Sequence, residues 1–91
     1  MPIALMVDDP EGSQETYDLV RTELDLERKP TGSILHLAGP GPSGGWRVVE
    51  AWDSEEAAWR FLTERLEPAF AAVGAPGRPQ PQFWLVHCYV T

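Results

Sequence analysis

The chain has 91 residues, of which 43% are hydrophobic and 10% aromatic, including four tryptophans, and this composition predicts one packed globule rather than a disordered segment. Its net charge of −7, with only seven basic residues, excludes the basic stripe that a nucleic-acid backbone requires and disfavours an anionic membrane surface. We therefore expect neither nucleic acid nor membrane as a partner.

The start of the chain and its single cysteine indicate a cellular location. No apolar run approaches the roughly 18 residues of a membrane-spanning helix. Residues 1–7 lack the positive charge of a signal peptide and lead into Asp8 and Asp9. Cys88 has no second cysteine to pair with, so no intrachain disulfide is expected. These features predict a cytoplasmic protein.

The first quarter of the chain predicts a strand followed by a helix. Residues 2–7 form a short apolar run, and the turn-forming residues 8–12 end it. Ser13 is a suitable N-cap, and apolar residues recur after it at helical spacing. The first helix is expected over residues 14–26, before Pro30 and Gly32.

Two strands are predicted at residues 33–38 and 46–53, joined by a hairpin loop rich in glycine and proline. A symmetric loop places His36 opposite Val48 and Ile34 opposite Glu50. Strict alternation then gives two largely apolar faces. One face carries His36, Trp46, Val48, Glu50 and Trp52, and the other carries Leu35, Leu37, Arg47, Val49 and Ala51.

The last third of the chain predicts a helix, a spacer and a strand. Ser54 caps the second helix, which is expected to run to about residue 66. Pro68 should kink or restart it, leaving a shorter turn to Val73 that Gly74 closes. A proline-rich spacer follows, and the aromatic and β-branched residues 83–90 predict a final strand.

The element order βαββαβ predicts the fold class. We expect an α+β ferredoxin-like sandwich, with a four-stranded antiparallel sheet and two helices on one face, formed by residues 1–91 as a single domain. The second apolar face then needs a cover, and an identical sheet related by a two-fold axis supplies it. The sequence therefore predicts a homodimer, consistent with the limited core of so short a chain.

The junction between the third strand and the second helix carries a family resemblance. Residues 51–57, Ala-Trp-Asp-Ser-Glu-Glu-Ala, followed by Phe61, Pro68 and Phe70, resemble the antibiotic biosynthesis monooxygenase family and its dimeric α/β-barrel relatives. The resemblance implies the dimeric α/β-barrel fold. Members of this group include cofactor-free oxygenases, haem-degrading enzymes, isomerases and proteins without assigned chemistry.

The chain departs from the family at positions that carry known chemistry. The haem-degrading branch uses an Asn on the first strand, a Trp in the second helix and a His near the end of that helix. The junction register places Phe61 and Ala71 at the last two positions, and the chain contains no Asn. Many other members carry a His at about the position of Phe61. We therefore expect neither haem degradation nor a bound cofactor.

His36 and Glu50 are the leading catalytic candidates. The predicted register makes them diagonal neighbours on one face, flanked by Trp46 and Trp52. A carboxylate beside a histidine in an apolar pocket fixes the tautomer of the imidazole and makes it a general base or acid near neutral pH. The alternative is a buried hydrogen bond that only satisfies both groups or fixes the dimer interface.

Two further polar candidates lie on the last strand and on the first helix. His87 could join a catalytic pocket with Tyr89, or it could simply donate to a backbone carbonyl. Tyr17 could offer a hydroxyl to the cleft between helix and sheet, or it could be ordinary packing. Two histidines and one cysteine without HxH or HxxxH spacing predict no metal site.

The aromatic residues suggest a flat aromatic ligand such as a polyketide, with at most three of the following six lining its pocket. These six are Trp46, Trp52, Trp59, Phe61, Phe83 and Trp84. The leading hypothesis is a cofactor-independent oxygenase-like or isomerase-like enzyme that binds a small aromatic molecule between sheet and helices. A non-catalytic ligand-binding protein of the same fold and a purely structural partner in an assembly are the alternatives.

Overall fold

The computed structural model describes residues 1–77 and 79–90, and it has the predicted ferredoxin-like α+β fold. Four strands form one antiparallel sheet in the order β2-β3-β1-β4. The strands are β1 (Ile3–Asp9), β2 (Ser33–Pro40), β3 (Trp46–Trp52) and β4 (Gln82–Leu85). The helices are α1 (Gln14–Leu24), α2 (Glu55–Phe61) and α3 (Glu67–Ala72), with the π-helical segment Leu62–Leu66 between the last two.

Both predicted serine caps are present. The Ser13 hydroxyl accepts a hydrogen bond from the backbone N–H of Thr16, and the Ser54 hydroxyl accepts one from that of Ala57, each at 3.1 Å. Helix α1 ends two residues before its predicted end. Asp25 adopts a left-handed conformation with φ of 48°, which stops the helix at Leu24.

The second helical stretch passes Pro68 without a break, because the backbone widens before it. A proline has no N–H to donate to the carbonyl four residues earlier, and its ring crowds that carbonyl. Here the π-helical segment Leu62–Leu66 precedes Pro68, which occupies the first turn of α3. Of the two predicted outcomes at Pro68, a kink or a restart, the structure has the restart, because a new α-helical segment begins at Glu67 after the π-helical turn. Among the described residues, no helix has the length and hydropathy needed to cross a bilayer.

The pairing of β2 with β3 differs from the predicted register by two residues. Glu50 lies directly opposite His36, Val48 opposite Ala38, and Trp46 opposite Pro40. The predicted loop was too long. β2 continues to Pro40, so the loop between β2 and β3 consists only of residues 41–45. A shift of two residues preserves the alternation, so the side chains of residues 35–38 keep their predicted faces, whereas a register irregularity between Ser33 and Leu35 interrupts the alternation at the start of β2.

The last strand ends at Leu85 rather than at residue 90. β4 is an edge strand whose only neighbour is β1, and Leu85 lies opposite Ile3 near the start of the chain. One further bond follows, from the N–H of Val86 to the carbonyl of Pro2. Pro2 has no N–H to return, so the ladder ends there. The prediction that His87 and Tyr89 lie on a strand is therefore wrong.

The two faces of the sheet have different surroundings. On the covered face, under the helices, Ile3, Leu5, Val7 and Trp52 form a buried cluster with Ala58 of α2. α1 also packs against α3 through Val20, Leu24 and Ala69. The other side of the sheet, which we call the open face, has no helix over it among the described residues. It includes Met6, Leu35, Leu37, Arg47, Val49 and Trp84.

Candidate active site

An apolar cavity of about 100 Å³, the inner cavity, lies between the covered face and the helices. Leu5, Val7 and Val48 line it from the sheet, while Val20 and Phe70 line it from the helices. An engineered apolar cavity of about 150 Å³ can hold benzene. The inner cavity is smaller than that, so it limits a bound group to at most one small ring, and a polyketide-sized polycycle exceeds it.

A chain of hydrogen bonds runs along the wall of the inner cavity. Nε2 of His36 lies 2.6 Å from the hydroxyl oxygen of Tyr17, and Nδ1 lies 2.6 Å from Oε2 of Glu50. The other oxygen of Glu50 accepts a hydrogen bond of 3.0 Å from the indole N–H of Trp52. We call Tyr17, His36, Glu50 and Trp52 the relay.

Simple geometry brings the relay together. His36 and Glu50 are directly opposed on β2 and β3, and Trp52 follows Glu50 by two residues on the same face. Tyr17 comes from the first turns of α1, where the cap at Ser13 fixes the start of the helix. The sheet thus supplies three members of the relay, and the helix supplies the hydroxyl.

The partners of His36 define the direction of the hydrogen bonds. Ionised Glu50 can only accept, so Nδ1 of His36 carries a proton and donates it to Glu50. In the neutral imidazole Nε2 is then an acceptor, and the Tyr17 hydroxyl donates to it. This arrangement is that of a hydroxyl, a histidine base and an orienting carboxylate, the logic of an activated nucleophile or proton relay.

The Tyr17 hydroxyl is held in its protonated form. Burial raises the pKa of Tyr17, the positive charge of Arg21 offsets part of that rise, and the negative charges of Glu50 and Asp18 add to it. The phenol therefore remains an O–H donor at neutral pH. It can pass a proton along the relay without accumulating as a tyrosinate.

Aromatic rings enclose the relay on both sides. The Trp46 ring lies 5.3 Å from that of Tyr17, and the Trp52 ring lies 5.5 Å from that of Phe61. Gly12 leaves room for Trp46, because a Cβ atom at residue 12 would come within 2.7 Å of the Cβ atom of Trp46. The indole N–H of Trp46 is buried without a hydrogen-bond partner among the described residues. It is an unused donor beside the inner cavity.

Three predicted site residues lie away from this cavity. His87 and Tyr89 follow the end of β4 with exposed side chains. Trp59 lies on the outer side of α2, where its ring contacts Phe83 and its N–H donates to Glu55. Of the predicted substrate-binding residues, Tyr17, Trp46 and Phe61 line the inner cavity, whereas Trp52 supports it through Glu50.

Sequence reasoning missed Arg21, which lies one helical turn after Tyr17 and lines the same cavity. The four-residue spacing on α1 was the available signal, because residues i and i+4 share a helix face. Arg21 also lines an adjoining outer cavity of about 260 Å³ beside the loop that leads into β2. His36 and Glu50 stand in the wall of both cavities.

The part of the chain that the structure describes contains no group of three or more His, Cys, Asp or Glu side chains arranged to hold a metal ion. The relay itself offers acid–base chemistry. It can accept a proton, hold it on the imidazole beside Glu50, and return it through Tyr17.

Comparisons with known proteins show which solved structures have a similar fold. No family model matches the sequence, and no curated protein matches it. A candidate antibiotic biosynthesis monooxygenase from Chloroflexus aurantiacus superposes with a TM-score of 0.70 at 13% identity, covering 100% of this chain and 98% of that one. A second such candidate, from Deinococcus radiodurans, gives 0.59 at 17% identity, with coverages of 100% and 97%.

A protein from Mycobacterium tuberculosis superposes with a TM-score of 0.66 at 17% identity, and the match covers 100% of both chains. At these identities the likenesses concern the fold alone. They confirm at that level the resemblance seen at residues 51–57, and this chain has the fold of antibiotic biosynthesis monooxygenase-like proteins.

Proposed function

We propose that the chain is a homodimeric, cofactor-independent enzyme of the cytoplasm that uses the relay for acid–base chemistry on a single-ring aromatic substrate. In this proposal residues 1–91 form one domain, and the reaction is monooxygenase-like or isomerase-like. The observation that carries it is the unbroken hydrogen-bonded path from Tyr17 through His36 to Glu50 along an apolar cavity.

The relay moves a proton in two linked transfers. The substrate gives a proton to the Tyr17 oxygen as the Tyr17 proton passes to Nε2 of His36, which becomes an imidazolium. Ionised Glu50 stabilises that cation across 2.6 Å, and Trp52 keeps the carboxylate in place. The apolar walls strengthen each of these interactions because little water screens them.

The two reaction types differ in the fate of the substrate anion. In an isomerase, the imidazolium returns the proton through Tyr17 to a different atom of the same substrate. In a monooxygenase-like reaction, dissolved dioxygen oxidises a CH2 group of the substrate to a carbonyl. Both C–H bonds break, one oxygen atom forms the C=O bond, and the other leaves as water with the two hydrogens, so the substrate supplies all four electrons. Either reaction begins with the same proton abstraction, so a single experiment tests the common step.

The proposed homodimer follows from the open face. Leu37 and Trp84 are 51% and 47% exposed there, on a sheet whose other side is already packed against helices. An apolar sheet face of this kind is stable in water only when it is covered. A second copy presents the same face and covers it by two-fold symmetry.

A non-catalytic ligand-binding protein is the second candidate. The observation in its favour is that His36 and Glu50 each have a hydrogen-bond partner on both sides, as expected of a polar network that only stabilises the fold. In that case the inner cavity captures a ring and the relay fixes the shape of its wall.

Exchange of an acidic C–H for deuterium distinguishes the two candidates. Phenylacetone in deuterated buffer carries one ring and an activated carbon, and NMR follows the loss of its C–H signal. We expect the native chain to accelerate exchange and His36→Gln to lose about 100-fold or more of that acceleration. His87→Gln removes the same residue type outside the cavity and should change nothing. Equal exchange rates for the native chain and His36→Gln would exclude the acid–base role.

Light scattering after gel filtration tests the homodimer. A chain of 10.1 kDa should elute with twice that mass. Leu37→Lys places a charge on the open face and should give the monomer. Leu19→Lys is the matched control, because Leu19 on α1 is also 51% exposed but lies on the helical side. A native chain of monomer mass would contradict the proposed dimer.

A further inference from the structure

The outer cavity is the most positively charged recess next to the relay. Arg21, Arg28 and Lys29 line it, and Glu50 is the one acidic residue in its described lining. Glu50 already accepts hydrogen bonds from His36 and Trp52. Three cationic side chains therefore line this space with a single carboxylate, in a chain whose net charge is −7.

The cations of the outer cavity have spare hydrogen-bonding capacity. Within the described residues, the side chains of Arg21 and Arg28 form no hydrogen bond or ion pair. Lys29 donates one bond of 3.3 Å to the carbonyl of Ile34, which leaves its other protons and its full charge available. Guanidinium groups in this state suit a carboxylate, which they can bind through two parallel hydrogen bonds.

The outer cavity also has a defined position relative to the inner one. Along the covered face of β3, Trp46, Val48 and Glu50 line the inner cavity, while Glu50 and Trp52 line the outer one. Strand residues two apart are separated by about 7 Å. A molecule with a ring in the inner cavity can therefore present a substituent on that ring toward Arg21 and the outer cavity.

We propose that the natural ligand is a small aromatic acid, whose ring occupies the inner cavity and whose carboxylate binds Arg21 and Arg28 in the outer cavity. This inference rests on the proposed ligand-binding function and adds the class of ligand. The relay then lies beside the ring, between the apolar and the cationic ends of the bound molecule. Arg21 is the specificity-determining residue because it is the arginine that lines both cavities and can bind a carboxylate beside the ring.

Two probes of nearly identical shape test the charge preference. Binding of 4-hydroxybenzoate and of its neutral amide, 4-hydroxybenzamide, is measured by calorimetry and by tryptophan fluorescence. We expect the acid to bind about tenfold more tightly at low ionic strength, with the difference shrinking as salt is added. Arg21→Gln and Arg28→Gln should each remove most of that difference, because the affinity for the acid should fall further than the affinity for the amide.

Arg60→Gln is the matched control, since it removes one positive charge but Arg60 lies outside the outer cavity and pairs with Glu56. Equal affinities for the acid and the amide would overturn the inference and leave the proposed binding function standing. An equal loss in Arg60→Gln and Arg21→Gln would also overturn it, because only the overall charge would then matter. Failure of both probes to bind would overturn the inference together with the binding function on which it rests.

Discussion

The two faces of one sheet show how alternate residues of the same strands take different roles. On the covered face, His36 and Glu50 are polar groups among apolar neighbours, and each has its hydrogen-bond partners. On the open face, Leu37 and Trp84 are exposed apolar groups without a cover. A buried polar pair beside a cavity is a candidate for chemistry and an exposed apolar face is a candidate for association, so our proposals place the reaction on the first face and the dimer contact on the second.

The comparison also shows where charge is placed. The open face has an ion pair between directly opposed residues, in which Nε and Nη2 of Arg47 contact the two carboxylate oxygens of Asp8 at 2.6 and 2.9 Å. That pair is solvent-exposed and lines neither the inner nor the outer cavity. The covered face instead places the carboxylate of Glu50 between two ring N–H groups. Similar polar chemistry thus stabilises a surface on one side and builds a site on the other.

A matched pair of tryptophan truncations should give the largest difference between the faces. Trp52 is 1% exposed in the core of the covered face, and Trp84 is 47% exposed on the open face. Trp52→Ala should lower the free energy of unfolding by about 3–5 kcal/mol, because it leaves a large cavity. Trp84→Ala should lower it by less than about 1 kcal/mol at protein concentrations where the chain is monomeric.

Urea unfolding followed by circular dichroism, at several protein concentrations, measures both effects. In a dimer the loss from Trp84→Ala should grow with protein concentration, because association stabilises the native fold by mass action. Equal losses for the two variants at low concentration would contradict the assignment of Trp52 to the core and Trp84 to an uncovered face.

Alternation along the strands made the covered face largely predictable from the sequence. His36, Glu50 and Trp52 share a face because side chains alternate along a strand. The predicted hairpin register was wrong by two residues, and an even shift of this kind does not change which face these side chains occupy. The same error made His36 and Glu50 diagonal neighbours, whereas they are direct partners. Strand composition fixed which residues share a face, but not where the hairpin turns.

Other features depended on information that no single segment contains. The residues after Leu85 have strong strand propensity, yet the strand ends because Pro2, which precedes β1, has no N–H to continue the ladder. The contact of Tyr17 with His36 depends on how α1 packs over the sheet, which periodicity within the helix does not determine. The position of Arg21 between two cavities has the same origin.

An alkaline titration should give a smaller effect that is specific to the covered face. Because burial raises the pKa of Tyr17, the folded state disfavours its ionised form, and the associated stability is complete below about pH 10. That stability is lost as the pH rises through the pKa of Tyr17 in the folded state. Tyr17→Phe should therefore flatten the decline of the urea midpoint above about pH 10.

Tyrosinate absorbance gives an independent measurement of the same group, since the chain has two tyrosines. A late ionisation step should be absent in Tyr17→Phe and retained in Tyr89→Phe, which alters an exposed residue beyond the sheet. If the late step is lost in Tyr89→Phe and retained in Tyr17→Phe, the raised pKa belongs to Tyr89, and its assignment to Tyr17 is wrong.

The ion pair on the open face should give the smallest effect. Arg47 lowers the pKa of Asp8 through their hydrogen bonds, so the pair contributes stability above about pH 4 that is lost as the pH falls through the lowered pKa. At protein concentrations where the chain is monomeric, Asp8→Asn should slightly lower the urea midpoint at neutral pH and low salt, and about 1 M sodium chloride should abolish the difference because ions screen an exposed pair. Glu64→Gln, an equal change in charge at an exposed helical residue, controls for net charge. A salt-insensitive loss in Asp8→Asn would show instead that Asp8 and Arg47 are shielded from solvent, as they would be beneath a second copy of the sheet.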